Sequence, residues 1–137
     1  MNIDSIQNGI VIDHITAGLG MRLYELLGLA SLDVSIALIK NVSSKKMGKK
    51  DIIKIDADIE LDFDVIGFVD PDATVNVIKG GVLVEKRSIE MPETLTNVIK
   101  CKNPRCITSC EQELDHIFKL TDKEDKVYRC IYCETKA

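Results

Sequence analysis

All five cysteines of this 137-residue chain lie between positions 101 and 133, and their spacing constrains the fold more than any other feature. Cys101-Lys-Asn-Pro-Arg-Cys106 is C-x4-C, Cys130-Ile-Tyr-Cys133 is C-x2-C, and 23 residues separate the pairs. Each short pair makes a turn whose two thiolates reach one ion, with Pro104 helping to bend the first. Two such turns brought together give four sulfurs in a tetrahedron, which zinc accepts; iron also suits an S4 set. Four thiolates fill the coordination shell, so the expected role is structural. Paired thiols confined to one segment of a chain expected to be cytoplasmic point to metal, not to a disulfide framework.

Between the pairs, Ile117–Leu120 and Lys126–Arg129 flank Thr121–Asp125 and read as a β-hairpin that carries the second pair back to the first. Residues 99–137 are therefore expected to form a small all-β, zinc-ribbon-like domain, of a size at which metal supplies the stability that a small core cannot. Cys110 is the odd thiol. It offers an alternative to Cys106, but C-x8-C is a poor turn spacing, and His116 is a second competitor. Cys110 is read as half-buried and His116 as surface.

The remainder reads as two similar halves. Ile10–Ile15 is a strand, Thr16 an expected helix cap, and Leu19, Leu23, Leu26 and Leu27 recur at helical spacing until Gly28. Val34, Ile36 and Leu38 alternate as a strand. Asp51–Ile55 opens the second half. Asp62 caps a short helix through Val69, Thr74–Ile78 alternates, and Gly80-Gly81 turns into Val82–Val84. The order is that of the split βαβ, ferredoxin-like α+β arrangement with an antiparallel sheet. Residues 1–92 form this domain and 93–98 a linker; Ser88–Asn97 is polar and suits a linker or a short helix.

Charge divides the chain in the same way. Residues 1–98 hold 10 Lys and Arg against 15 Asp and Glu, a net of −5; residues 99–137 hold 8 against 7, a net of +1. Within the acidic part, Lys40, Lys45, Lys46, Lys49, Lys50 and Lys54 crowd a stretch that reads as a solvated loop or as a phosphate patch. There is no phosphate-binding glycine loop, no G-x-S-x-G and no H-E-x-x-H, so an enzyme is not expected. Asp13, His14, Lys54 and Lys86 point instead to binding: lysines and a histidine for a polyphosphate, and a carboxylate for a sugar hydroxyl. No apolar run reaches membrane-span length, and the N-terminal segment lacks signal-peptide regions.

Val11-Ile12-Asp13-His14-Ile15, Met47-Gly48-Lys49-Lys50-Asp51-Ile52-Ile53-Lys54-Ile55, Ala73-Thr74-Val75-Asn76 and the two cysteine pairs, in this order and spacing, resemble the regulatory chains of aspartate carbamoyltransferase. The resemblance implies a non-catalytic subunit of pyrimidine biosynthesis, part of a hetero-oligomer. Its N-terminal domain would bind the inhibitors CTP and UTP and the activator ATP. Its zinc domain would dock on the catalytic chain, and regulatory chains would pair as homodimers. By position, Lys86 and His14 would face phosphates with Lys50 assisting, and Asp13 and Lys54 would hold the ribose and base region. The segment near Ile6 and the backbone near Gly81 would meet the base, and Thr74, Asn76 and Leu83 would line the pocket. Cys101, Cys106, Cys130 and Cys133 match the zinc ligands. The chain departs from the best-known enterobacterial members in its shorter segment before Val11, in Gly81 where they carry an aromatic residue, and in Cys110. A zinc-ribbon nucleic-acid or transcription accessory protein is the alternative, opposed by the net charge of −4. A stand-alone regulator with a zinc dimerisation module is a third.

Overall fold

The computed structural model describes residues 6–111 and 113–137. The chain divides into two compact units, Met1–Glu90 and Met91–Ala137.

The first unit runs β1 (Gly9–Thr16), α1 (Gly20–Leu26), β2 (Ile36–Ser44), β3 (Gly48–Ile55), α2 (Phe63–Val69), β4 (Thr74–Lys79) and β5 (Val82–Ser88). The strands form one sheet in the order β2-β3-β1-β4-β5, antiparallel at every step. This is the split βαβ order with a hairpin strand added at one edge. Alternation sorts the side chains: Ile10, Ile12, Ile53, Ile55 and Val75 are buried, with Leu23 of α1 and Val65 and Ile66 of α2, in one core. Val11, Asp13, Lys54 and Asn76, between them in sequence, are half-buried on the opposite face.

Several local signals act as the sequence suggests. Asp62 Oδ1 accepts from the amides of Asp64 (3.0 Å) and Val65 (3.4 Å) and caps α2. Gly80 and Gly81 take φ of 61° and 76°, the left-handed pair that a tight hairpin turn needs.

Others act differently. Thr16 does not cap α1; it ends β1, and the helix has no side-chain cap at Leu19. The fully buried Asp51 does that work from another strand: its Oδ2 accepts from the amides of Gly18 (3.1 Å) and Gly20 (3.0 Å), and its Oδ1 from Asn41 (3.0 Å). The lysine-rich stretch is not a loop. Lys40 lies on β2, Lys49, Lys50 and Lys54 lie on β3, and the turn is confined to residues 45–47. Alternation hid these strands because β2 carries a bulge: register shifts between Ile39 and Val42, and Asn41 takes a φ of 57°. β5 continues to Ser88, beyond the expected Val84, as an exposed edge strand.

The second unit contains β6 (Thr94–Thr96), the one-turn α3 (Ile107–Cys110), β7 (Ile117–Asp122) and β8 (Val127–Cys130), with sheet order β6-β7-β8. The hairpin β7–β8 lies where the sequence places it. The stretch 93–98, expected as linker, contains β6, which pairs with β7 through Leu95 and Phe118. Leu95, Phe118 and Tyr128 make a small buried core, and the Tyr128 hydroxyl donates to the Pro92 carbonyl at 2.6 Å. No helix among the described residues is long and apolar enough to cross a membrane.

Candidate metal centre and ligand-binding face

The first cysteine turn is organised by Asn103. Its carbonyl accepts from the Cys106 amide (3.1 Å) and the Ser109 hydroxyl (2.8 Å), and its Oδ1 accepts from the Arg105 amide (3.0 Å). Its Nδ2 reaches Thr135 Oγ1 at 3.3 Å, which ties the first turn to the second. The second turn closes through the Cys130 amide to the Thr135 carbonyl (2.9 Å) and the Glu134 amide to the Cys130 carbonyl (2.9 Å).

These turns bring the sulfurs of Cys101, Cys106, Cys130 and Cys133 within 4.8 Å of one another. Cys101 and Cys133 are 3.6 Å apart, and Cys106 and Cys130 are 3.7 Å apart. A zinc tetrahedron with Zn–S bonds of about 2.3 Å has edges of about 3.8 Å. The donor set therefore fits zinc in both chemistry and size, and it leaves no open coordination position. Burial pushes the Cys101 thiol up to about 12, whereas hydrogen bonding at Thr135 pulls Cys133 down to about 6. Four thiolates this close require a central cation, which favours the charged form of every ligand.

Cys110 is exposed, not half-buried, and stands outside the cluster. His116 is half-buried, not on the surface; its Nδ1 accepts from the Cys101 amide at 3.1 Å, so Nε2 carries the ring proton of the neutral side chain. Thr108 is buried and donates from Oγ1 to Cys106 Sγ at 3.1 Å. Asn103, Thr108, His116 and Thr135 are the supporting groups that spacing alone misses. A local signal exists for three: Asn103, Thr108 and Thr135 are each two residues from a ligand.

In the first unit, strand register brings the expected binding residues to the face away from the buried core. Lys54, Val11, Asn76 and Lys86 form one row across four strands. Asp13 pairs with Thr74 in the next row, and Leu83 pairs with Ile78 on the other side. Two bulges make this possible. Register shifts between Ile12 and Ile15 in β1, where His14 takes a φ of 56°, and in β5 opposite Val77 and Ile78. The second bulge places Leu83 and Lys86, three residues apart, on the same face.

Lys50 Nζ meets Asp13 Oδ1 at 2.9 Å, and His14 Nδ1 lies 3.1 Å from Thr74 Oγ1. Burial alone would raise the Asp13 carboxyl, but the Lys50 ammonium and the His14 amide outweigh it and hold the group below its ordinary value. Asn76 Oδ1 is buried without a hydrogen-bond partner among the described residues. At the other end, the Gly81 amide donates to the Gln7 carbonyl at 2.9 Å, which draws the segment before β1 against the β4–β5 turn. Ile6 is buried. From the Thr74 row to the Ile78 row the face spans about 13 Å, at ~3.3 Å per residue.

Residues 1–90 match the family model described as the aspartate carbamoyltransferase regulatory chain, allosteric domain, and residues 93–137 match that of the same chain's metal binding domain. The chain is similar to several proteins named aspartate carbamoyltransferase regulatory chain. One from Clostridium botulinum (strain Hall) is 52% identical over 134 residues, covering 98% of this chain and 92% of the relative. One from Clostridium tetani is 49% identical, covering 98% and 94%, and one from Bifidobacterium longum is 46% identical, covering 100% and 99%.

Proposed function

The chain belongs to the family of aspartate carbamoyltransferase regulatory chains, non-catalytic subunits, and from that premise we propose that it carries nucleotide control to a catalytic chain in pyrimidine biosynthesis. CTP and UTP act as inhibitors and ATP as activator, bound on the open face of the N-terminal domain, residues 1–92. Residues 93–98 connect it to the zinc domain, 99–137, which docks on the catalytic chain. Regulatory chains pair as homodimers, and the complex works in the cytoplasm.

The observation that carries the nucleotide reading is the convergence of Lys54, Lys86, Asp13 and the unpartnered Asn76 Oδ1 on one sheet face. A buried acceptor without a donor costs stability unless a ligand supplies one. Lys86 and His14 take the phosphates with Lys50 assisting, and Asp13 and Lys54 take the ribose and base region. Thr74, Asn76 and Leu83 line the site, and the backbone near Ile6 and Gly81 meets the base. Cys101, Cys106, Cys130 and Cys133 hold zinc.

Control of this kind is a coupling free energy between two sites, and an effector shifts the complex only as far as it prefers one quaternary state. The test is Lys54→Ala in the assembled complex. Calorimetry is expected to show CTP affinity reduced about tenfold, the loss of one charge-assisted contact of about 1.4 kcal/mol, with assembly intact. Unchanged CTP affinity sinks the assignment.

A further inference from the structure

Residues 56–64 alternate acidic with apolar side chains: Asp56-Ala57-Asp58-Ile59-Glu60-Leu61-Asp62-Phe63-Asp64. Such alternation suits a half-buried strand, yet the segment is an irregular connection from β3 to α2. Among the described residues, no backbone group of 57–61 bonds to another backbone group, so its apolar side chains hold it to the sheet. Ile59, Leu61 and Phe63 wall a hollow of about 410 Å³ whose floor is Ile10, Val75 and Val77. The hollow exists because α2 is short. At ~1.5 Å per residue the seven residues of that helix cover about 10 Å, whereas the six of β4 span about 20 Å. The helix ends beside the far end of β1, where Asp70 Oδ2 accepts from the Thr16 amide at 2.6 Å. The row Ile10–Val77–Glu85, at the near end of the sheet, is left to the irregular segment.

The mouth of the hollow is charged. Asp58, Glu60, Glu85 and Lys79 line it, and all four are exposed. Glu85 is already engaged: its Oε1 lies 3.5 Å from Arg87 Nε, and the Arg87 guanidinium sits 4.2 Å from the centroid of the Phe63 ring. Asp58, Glu60 and Lys79 form no ion pair with a described residue. Over the segment and the mouth together, the carboxylates of Asp56, Asp58, Glu60, Asp62, Asp64 and Glu85 oppose two cations, Lys79 and Arg87. The local potential is therefore negative. Small-molecule sites are hollows of about 300–1,000 Å³, mostly apolar, with a few polar groups that fix orientation, and this one has that form.

We propose that this hollow, on the opposite face of the sheet from Lys54, Asn76 and Lys86, is a separate small-molecule site that takes an organic cation: an ammonium group on an apolar body of about six carbons. The apolar body rests on Ile10 and Val77 against Ile59 and Leu61, and the ammonium meets Asp58 and Glu60. The same negative field disfavours a carboxylate-headed molecule of equal shape. The inference goes beyond the regulatory-chain reading and does not depend on it, since it uses none of the residues assigned to the nucleotide and none of the zinc unit.

The test titrates the metal-loaded full chain with hexylammonium, hexanol and hexanoate, followed by calorimetry and by methyl NMR. Hexylammonium is expected to saturate with a Kd of about 1 mM or below at about 50 mM salt, and hexanoate to bind at least about tenfold more weakly. Shifts are expected on the methyls of Ile10, Leu61 and Val77 and not on those of Val11 and Leu83, which lie on the other face. D58N/E60Q, altered only at exposed positions, is expected to lose about fivefold in hexylammonium affinity and nothing in hexanol affinity. V77F fills the hollow and is expected to abolish binding of both. If circular dichroism shows that variant misfolded, Ile59→Ala in the wall is expected to weaken hexanol about threefold. The proposal is overturned by any of four results: no hexylammonium saturation by about 10 mM, equal affinity for hexylammonium and hexanoate, unchanged hexylammonium affinity in D58N/E60Q, or shifts centred on Val11 and Leu83.

Discussion

Asp51→Ala tests the claim that one buried carboxylate organises the strand-to-helix connection of the N-terminal unit. Asp51 accepts three backbone amides at 3.0–3.1 Å, drawn from two separate pieces of chain. The Gly18 and Gly20 amides lead into α1, while the Asn41 amide sits on the β2 bulge. Gly20 must be glycine for the same reason, since a Cβ there would meet Asp51 Oδ2 at 2.8 Å. Losing a hydrogen bond to a charged acceptor costs about 1.5–3 kcal/mol. Only the Gly20 contact is fully buried, and water can reach the Gly18 and Asn41 amides, so the three losses do not add in full. A total of about 3–4 kcal/mol follows, against roughly 5–13 kcal/mol for a unit of this size at ~0.05–0.15 kcal/mol per residue. With a urea slope of about 1.5 kcal/mol per M, the midpoint drops by about 2 M. The assay is urea unfolding of the full chain, followed by far-UV circular dichroism and by fluorescence of Tyr24, the one tyrosine before residue 91. A loss below about 1 kcal/mol refutes the reasoning.

Two further outcomes follow from the two sites. Chelating the metal, or Cys130→Ser, is expected to unfold residues 91–137, because structural zinc contributes about 10–16 kcal/mol in small domains and the core here rests on Leu95, Phe118 and Tyr128. The readout is proteolysis confined to that unit with Tyr24 fluorescence unchanged; an intact second unit without metal would falsify this. The folded Asp13 carboxyl lies below its unfolded value of about 3.9, so its contribution is fully present above that pH and disappears as pH falls through the lower folded value. The urea-midpoint gap between the native chain and Asp13→Asn should hold from about pH 7 to 5 and close below about pH 4; a gap unchanged down to pH 2 counts against the Lys50 pairing.

The metal cluster was legible because its chemistry depends on short-range spacing: C-x4-C and C-x2-C each make a turn irrespective of the rest of the fold. The Asp62 cap and the Gly80-Gly81 turn were legible for the same reason. The ends of β2 and β5 were not, because bulges break the period of two that identifies a strand, and the start of β3 at Gly48 depends on its pairing with β2 beyond that bulge. Nor could sequence position alone align Lys54, Asn76 and Lys86, since that row runs across strands and depends on register. His116 misled because a lone histidine carries no mark of what it accepts; its bond to the Cys101 amide spans fifteen residues.

Bulges interrupt both open edges of the five-stranded sheet, in β2 near Asn41 and in β5 near Val84. An edge strand exposing Val82, Leu83 and Val84 would otherwise template the addition of another chain. The kink in each edge spoils a straight run of unpaired amides and so blunts both edges as templates for strand addition. The irregularity that hid these strands from alternation also limits what can extend the sheet.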